Sequence, residues 1–173
     1  MLISRRGLLA LAAGGAASVG LARGSRAGTL AGDRAPIVLI HGAWQGGWGW
    51  KQTMPLLWAA GYATTTPTLS GMGERRNVPP AASGLQVHID DIVAHLEMQD
   101  LRDAILVGHS YGGCVLSGVL ARQTGRVAHA VYLDAYVPSA GESILRLLTP
   151  EERAPIEALA AAGGVIPVPP EDS

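Results

Sequence analysis

Residues 104–113, Ala-Ile-Leu-Val-Gly-His-Ser-Tyr-Gly-Gly, decide the fold of this 173-residue chain. Residues 105–107 form the continuous apolar run that is typical of a buried parallel strand. The run leads into Gly108-x-Ser110-x-Gly112, and small or apolar residues follow. This order predicts a nucleophile elbow, in which a strand, a tight turn that exposes the serine hydroxyl and a helix follow one another. A generic glycine-rich turn is the alternative, because the chain contains 23 glycines.

The rest of the chain alternates between strand and helix patterns, which predicts an α/β fold with a parallel sheet and crossover helices. Besides the elbow strand, we expect strands at 36–40, 62–66 and 128–133, and helices at 50–60, after the elbow, near 142–148 and near 151–162. A further helix is indicated by apolar positions with helical spacing: Leu85, His88, Ile89, Ile92, Val93 and Leu96. Residues 68–84 read as a loop that carries Gly71-Met-Gly73-Glu-Arg-Arg.

The N-terminal 27 residues have the pattern of a bacterial export signal. Arg5 and Arg6 precede a Leu-, Ala- and Gly-rich stretch that ends near Gly20 and is too short and weakly apolar for a stable membrane span. Cleavage is expected near Ala27 or Ala22. We therefore predict a twin-arginine signal peptide over residues 1–27 and a periplasmic or secreted protein, with a disordered or membrane-anchored N-terminus as the alternative.

Composition argues against several classes of partner. The net charge of −1 becomes −5 without residues 1–27, because that segment holds four arginines and no acid, and no basic run suggests nucleic acid. No spaced Cys/His cluster indicates a metal, and the glycines at 71 and 73 lack the third one of a dinucleotide loop. We therefore expect neither a metal nor a cofactor. The single cysteine, Cys114, is expected to pack a helix rather than to react.

An acyl-transfer serine needs backbone N–H donors where the carbonyl oxygen becomes negative. The residue after the serine, Tyr111, is one candidate, and Ala43, in the turn that follows the first strand, is the other. The neighbouring His41 is expected to be a satisfied buried histidine, and the tryptophans of this turn, Trp44, Trp48 and Trp50, are expected to lie in the core.

Four motifs together resemble the α/β-hydrolase superfamily: residues 38–50, 69–75, 108–113 and 132–138. The resemblance covers about residues 35–145, and its nearest branch contains plant methyl esterases, hydroxynitrile lyases and bacterial esterase relatives. It implies a serine hydrolase of small carboxylic esters that works through an acyl-enzyme, with Ser110 as nucleophile. Lyases of this branch carry threonine where this chain has Gly42, so the esterase is favoured over the lyase.

The resemblance also implies elements that this sequence does not show. The branch places its catalytic acid and histidine after a helical cap, so we expect an α/β-hydrolase core at 35–138, the incomplete start of a cap at 139–173, and a C-terminally truncated, partial fold. None of the five histidines is a convincing replacement, although His41 is the least implausible. Asp134, at a strand end, is a weak candidate for the acid. A non-catalytic truncated product is thus a further alternative, and the oligomeric state and the particular ester remain open.

Overall fold

The computed structural model of the protein describes residues 34–79 and 82–162. Its strands are β1 (Ile37–Ile40), β2 (Thr64–Thr65), β3 (Ala104–Ser110) and β4 (Val127–Ala135). Its α-helices are α1 (Thr53–Ala59), α2 (Leu85–Met98), α3 (Gly112–Gln123) and α4 (Pro150–Ala161). The predicted export segment, residues 1–27, and the last part of the expected cap, residues 163–173, lie outside the described residues.

The four strands form one parallel sheet in the order β2-β1-β3-β4. All residues of β1 are buried, as expected of a strand with neighbours on both sides and helices nearby. β1 pairs with β3 so that Ile40 lies opposite Gly108. The predicted α/β fold is therefore confirmed. Because the strands are parallel, their carboxyl ends meet at one edge, which is where sites in such sheets usually form.

Helices α2 and α3 pack closely against each other beside the sheet. The predicted apolar face of α2 is largely confirmed, since His88, Ile89, Ile92 and Leu96 are buried, whereas Leu85 at the helix start is exposed. Gly118 of α3 permits the close approach, because a Cβ there would collide with Ile89. The buried cluster joins these helices to the sheet and contains Val38, Ile40, Leu69, Ile89, Ile92, Leu96, Leu101, Ala104, Leu106, Val115, Leu116 and Val119.

Some elements differ from the prediction in length or type. The second strand contains two residues instead of five. The helix expected at 50–60 begins at Thr53 and follows a separate 3-10 turn, Gly47–Trp50. The stretch near 142–148 is a 3-10 turn, Ile144–Leu147. Helix α4 follows it and is stabilised at its start by a capping box between Thr149 and Glu152.

Strand β4 forms an open edge of the described sheet. It pairs with β3 on one side, and most of its residues are exposed. Val131 and Leu133, two positions apart and therefore on one face, are 44% and 46% exposed. This strand thus carries apolar side chains that the described residues leave uncovered.

Candidate active site

Ser110 lies at the carboxyl end of β3 in a strained turn. Its φ is +52°, in the left-handed region that disfavours residues with a Cβ. The flanking glycines are sterically required, since a Cβ on Gly108 would lie 2.6 Å from the Gly112 oxygen. A Cβ on Gly112 would lie 2.7 Å from the Ile40 oxygen. Helix α3 begins at Gly112, so its N-terminus starts beside Ser110. This is the strand, turn and helix arrangement that the glycine spacing predicted.

The turn after β1 lies close to this serine. A Cβ built on Gly42 would be 3.2 Å from Ser110 Cβ and 3.2 Å from His109 Nδ1. Gly42 is itself buried, and the following residue, Ala43, is half-buried. The pairing of β1 with β3 brings the two turns to the same edge of the sheet. The structure therefore places Ala43 and Tyr111, the two residues expected to donate N–H groups, on turns that flank Ser110.

His41 is fully buried and both of its ring nitrogens are engaged. Its Nε2 accepts a hydrogen bond from the Leu69 N–H at 3.0 Å. Its Nδ1 lies 2.8 Å from the Gly42 carbonyl oxygen, which can only accept, so Nδ1 must carry the hydrogen. Burial lowers the pKa of His41 and favours the neutral form of the ring. The expectation of a satisfied buried histidine is confirmed.

His88 makes a second contact of this kind that the sequence analysis missed. Its Nε2 donates to the Ser70 carbonyl oxygen at 2.8 Å, and its Nδ1 is 2.8 Å from the Tyr111 hydroxyl. The two rings meet edge to face, with centroids 5.7 Å apart. Burial lowers the pKa of His88 and raises the pKa of Tyr111. In the sequence, His88 is recognisable only as a histidine on the apolar face of a helix. That position indicates burial but does not identify its hydrogen-bond partners.

A charged group fixes the loop between β2 and α2. Asp91 accepts hydrogen bonds from the backbone N–H and the hydroxyl of Ser70, at 2.7 and 2.9 Å. Arg75 forms an ion pair with Asp91 at 3.0 Å and donates to the Thr68 carbonyl oxygen at 2.9 Å. This explains the Gly-Met-Gly-Glu-Arg segment structurally, because its arginine ties the loop to α2.

The same loop is tied to the 3-10 turn before α1. The Thr68 hydroxyl accepts a hydrogen bond from the Gly47 N–H at 2.7 Å and donates to Glu74 at 2.5 Å. The contact with Thr68 lowers the pKa of Glu74. Gly47 cannot carry a side chain, since a Cβ there would collide with the Thr66 backbone.

The expected core positions of the tryptophans are wrong for two of the three. Trp44 is 46% exposed and Trp48 is 57% exposed. Trp44 has a φ of +58° and Trp48 lies in the 3-10 turn, so both belong to the connection after β1 and not to the buried cluster of strand and helix residues. Trp50 is half-buried and meets His109 edge to face, with centroids 6.1 Å apart.

Among residues 34–79 and 82–162, no histidine is hydrogen-bonded to Ser110. His41 and His88 use both ring nitrogens elsewhere, and His95 pairs with the Thr65 hydroxyl at 2.9 Å. Asp134 is exposed in a β-bulge opposite Ser110, where its φ is +42°.

Cys114 is buried beside the elbow, and burial raises the pKa of its thiol, which fits the expected packing role. Within the described ranges, no group of three or more His, Cys, Asp or Glu side chains is arranged to hold a metal ion. No helix in that part of the chain combines the length and apolar character needed to cross a membrane.

Comparison with known proteins identifies a matching family and several similar proteins. Residues 37–171 match the model of the "Alpha/beta hydrolase family". A carbendazim hydrolyzing esterase from Nocardioides sp. is 45% identical over 114 residues, which are 66% of this chain and 47% of that protein. Salicylic acid-binding protein 2 of Nicotiana tabacum is 35% identical over 127 residues, which are 70% of this chain and 47% of that protein.

A solved structure supports the same fold. It is described as an extracellular alpha/beta-hydrolase from a Paenibacillus species with structural and functional homology to the tobacco protein. The alignment has 30% identity and a TM-score of 0.70, and it covers 78% of this chain and 56% of that one. The chain therefore spans about half the length of the curated relatives it matches.

Proposed function

Because this chain belongs to the alpha/beta hydrolase family, we propose that Ser110 is the nucleophile of a serine hydrolase that acts on small carboxylic esters. The observation that carries the proposal is the close approach of the turn at Gly42 to Ser110, which leaves little room for a side chain at position 42. A serine held in left-handed backbone, beside a second turn with backbone N–H groups, supplies two of the parts that acyl transfer needs, the nucleophile and nearby N–H donors. The Nocardioides relative, whose name describes an esterase, supports the choice of ester chemistry.

The proposed reaction follows from this arrangement. Ser110 Oγ attacks the ester carbonyl carbon, and the carbonyl oxygen becomes negative in the tetrahedral intermediate. The N–H groups of Ala43 and Tyr111 stabilise that oxygen. The intermediate then expels the alcohol and leaves the acyl group on Ser110, and water releases the acid in a second step. Gly42 carries no hydroxyl that would contact a cyanohydrin oxygen, which disfavours the lyase reaction.

The proton of Ser110 needs an acceptor, and none of the described histidines is hydrogen-bonded to Ser110. His41 and His88 are engaged on both sides, and His95 pairs with Thr65. We propose that the histidine that accepts this proton, and the acid that orients it, are not among the residues of this sequence. Because Ser110 has no hydrogen bond to a histidine among residues 34–79 and 82–162, a second candidate is a non-catalytic truncated product.

A hybrid protein tests the assignment. The chain without residues 1–27 is joined to the C-terminal half of the Nocardioides esterase, and p-nitrophenyl acetate turnover is measured. We expect hydrolysis, and Ser110→Ala should lower kcat by roughly 10⁶-fold. Ser139→Ala, at an exposed serine, is the matched control and should retain activity. A folded hybrid without any turnover would contradict the proposed hydrolase function, whereas activity that survives Ser110→Ala would remove Ser110 from the mechanism.

Export is the second part of the proposal. The pair Arg5-Arg6 ahead of a short apolar stretch supports twin-arginine transport, and the solved Paenibacillus relative is described as extracellular. Replacement of both arginines by lysine should retain the protein in the cytoplasm. Cell fractionation checks this, and undiminished delivery to the periplasm would contradict it.

A further inference from the structure

Two consecutive residues of the loop before α2 are linked to both turns around Ser110. The Leu69 N–H binds His41, and the Ser70 carbonyl binds His88. His41 precedes Gly42, and His88 bonds the side chain of Tyr111. Each link therefore runs from the loop, through one buried neutral imidazole, to a turn that flanks the serine.

The His41 link acts on a single peptide unit. The Gly42 carbonyl that accepts from His41 Nδ1 belongs to the same planar peptide as the Ala43 N–H. A hydrogen bond that fixes the carbonyl end of this peptide also fixes the direction of its N–H. A polarised carbonyl further makes the N–H at the other end a stronger donor.

The His88 link acts through a side chain. Because Nε2 of His88 must donate to the Ser70 carbonyl, its neutral ring leaves Nδ1 to accept the Tyr111 O–H. The phenol is thus held at one end by His88 and at the other by its own backbone. This restricts rotation of the residue whose N–H lies next to Ser110.

The loop that anchors both links is rigidly held. Ser70 is fixed by two hydrogen bonds to Asp91, and Arg75 bridges Asp91 and the Thr68 carbonyl. Leu69 itself is fully buried in the core. Movement at either imidazole is therefore opposed by α2 and by the core.

We propose that His41 and His88 are positioning residues that hold the Ala43 and Tyr111 N–H groups toward the oxygen that becomes negative at Ser110. This inference rests on the proposed function, because it assigns the geometry of that same site. Neither histidine touches the reacting atoms, so both act through the residues they orient. The pair sets the direction of the N–H donors, whereas Ser110 supplies the nucleophile.

The first experiment reads the geometry without any reaction. In the full chain labelled with ¹⁵N-histidine, NMR at pH 7.5 should show His41 with hydrogen on Nδ1 and His88 with hydrogen on Nε2. The opposite tautomer, or a charged ring, at either position would overturn that link.

The second experiment measures the reactivity of Ser110 in the full chain. The reagent is p-nitrophenyl acetate, and the Ser110 adduct is followed by peptide mass mapping. A serine without its base retains the contribution of backbone donors and binding, so this rate reports on the N–H groups.

Two variants each break one link. Tyr111→Phe removes only a hydroxyl, and His41→Gln removes the donor to Gly42 but keeps an acceptor for Leu69. Both variants should lower the maximal acylation rate by roughly 10- to 100-fold with an unchanged half-saturating concentration.

Two further variants separate positioning from folding. His41→Asn places an amide N–H near the former Nδ1 and should restore most of the rate that His41→Gln loses. His95→Gln changes another partly buried histidine on α2, bonded to Thr65 and not to either turn, and should stay within about twofold of the parent. Urea unfolding confirms that each variant is folded.

The outcomes distinguish this inference from the proposed function. If Ser110 acylates no faster than the exposed Ser139, the proposed function fails. If Ser110 reacts preferentially but Tyr111→Phe and folded His41→Gln react like the parent, the positioning roles alone are overturned. Equal losses in His41→Asn and His41→Gln would also overturn the role of the Gly42 carbonyl bond.

Discussion

Gly42 and Ser110, 68 positions apart in sequence, lie close together at the carboxyl edge of the sheet. A Cβ on residue 42 would approach Ser110 Cβ to 3.2 Å, which is tighter than ordinary van der Waals contact. The pairing of β1 with β3 sets this distance, and the absence of a side chain at position 42 allows it. The turn that bears Ala43 therefore has one close-packed position relative to the serine.

Gly42→Ala should impair the reaction more than the fold. The added methyl displaces the turn by a few tenths of an ångström, so we expect kcat of the hybrid esterase to fall at least about tenfold. Gly125→Ala is the matched control, because a Cβ there would meet nothing within 4 Å. Ester hydrolysis and urea unfolding are measured for both variants. A Gly42→Ala hybrid with parental kcat would show that the turn accommodates the methyl group without displacing the N–H donor.

Asp91 and its neighbour Asp90 should differ in their effect on stability. Asp91, with 14% of its side chain exposed, binds Ser70 twice and Arg75 once. The Asp91 carboxylate only accepts hydrogen bonds, whereas the amide of Asp91→Asn has an NH₂ group that would face the donors of Ser70 or Arg75. The substitution should therefore lower the free energy of unfolding by about 1–3 kcal/mol. Asp90→Asn loses a surface pair with Arg122 and should cost less than about 1 kcal/mol. Urea denaturation compares the two, and equal losses would contradict a structural role of the loop anchor.

These comparisons show which parts of the molecule could be predicted from its sequence. β1, α2 and the turn at Ser110 have local signals: a continuous apolar run, a helical period, and glycines at fixed spacing. The tight glycines at 108 and 112 are required by neighbours within the elbow or at the end of β1. Such features can be predicted because the residues that determine them lie close together in the sequence.

The polar contacts around the site had no comparable signal. His88 bonds residues 18 and 23 positions away, and His41 bonds Leu69, 28 positions away. Periodicity identifies a buried position but does not identify its hydrogen-bond partner. The exposure of Trp44 was missed for a related reason, because a left-handed backbone angle at a tryptophan is disfavoured by its side chain and cannot be expected from its sequence.

Stability should fall as the solution is made mildly acidic. Burial lowers the pKa values of His41, His88 and His95 below the ordinary histidine value of 6.5. The unfolded chain therefore binds protons first, and the free energy of unfolding decreases as pH falls through 6.5 toward the folded-state values. Above that window the neutral rings carry no such penalty. Glu74 beside His41, and Asp91 and Arg75 near His88, modify these two shifts, whereas burial is the cause given for His95.

His95→Gln isolates one contribution to this pH dependence. The variant removes a titrating ring but retains an amide that can bond Thr65, so the loss of stability between pH 8 and pH 5 should become smaller than in the parent chain. Urea unfolding at several pH values provides the slopes. A slope that is unchanged by the substitution would show that His95 takes no part in it.

The open face of β4 should make the isolated chain associate. Val131 and Leu133 are nearly half exposed on an edge strand whose backbone groups are paired only toward β3 in the described part of the chain. Exposed apolar edges of this kind template pairing with other chains. Leu133→Lys adds a charge to the edge and should shift the chain without residues 1–27 toward the monomer, as measured by sedimentation velocity. Met98→Lys, at an exposed methionine on α2, is the control for a charge elsewhere on the surface. Because Met98→Lys leaves the strand edge intact, this control should associate like the parent. If both lysine variants shift the chain equally toward the monomer, the cause is the change in net charge and not β4.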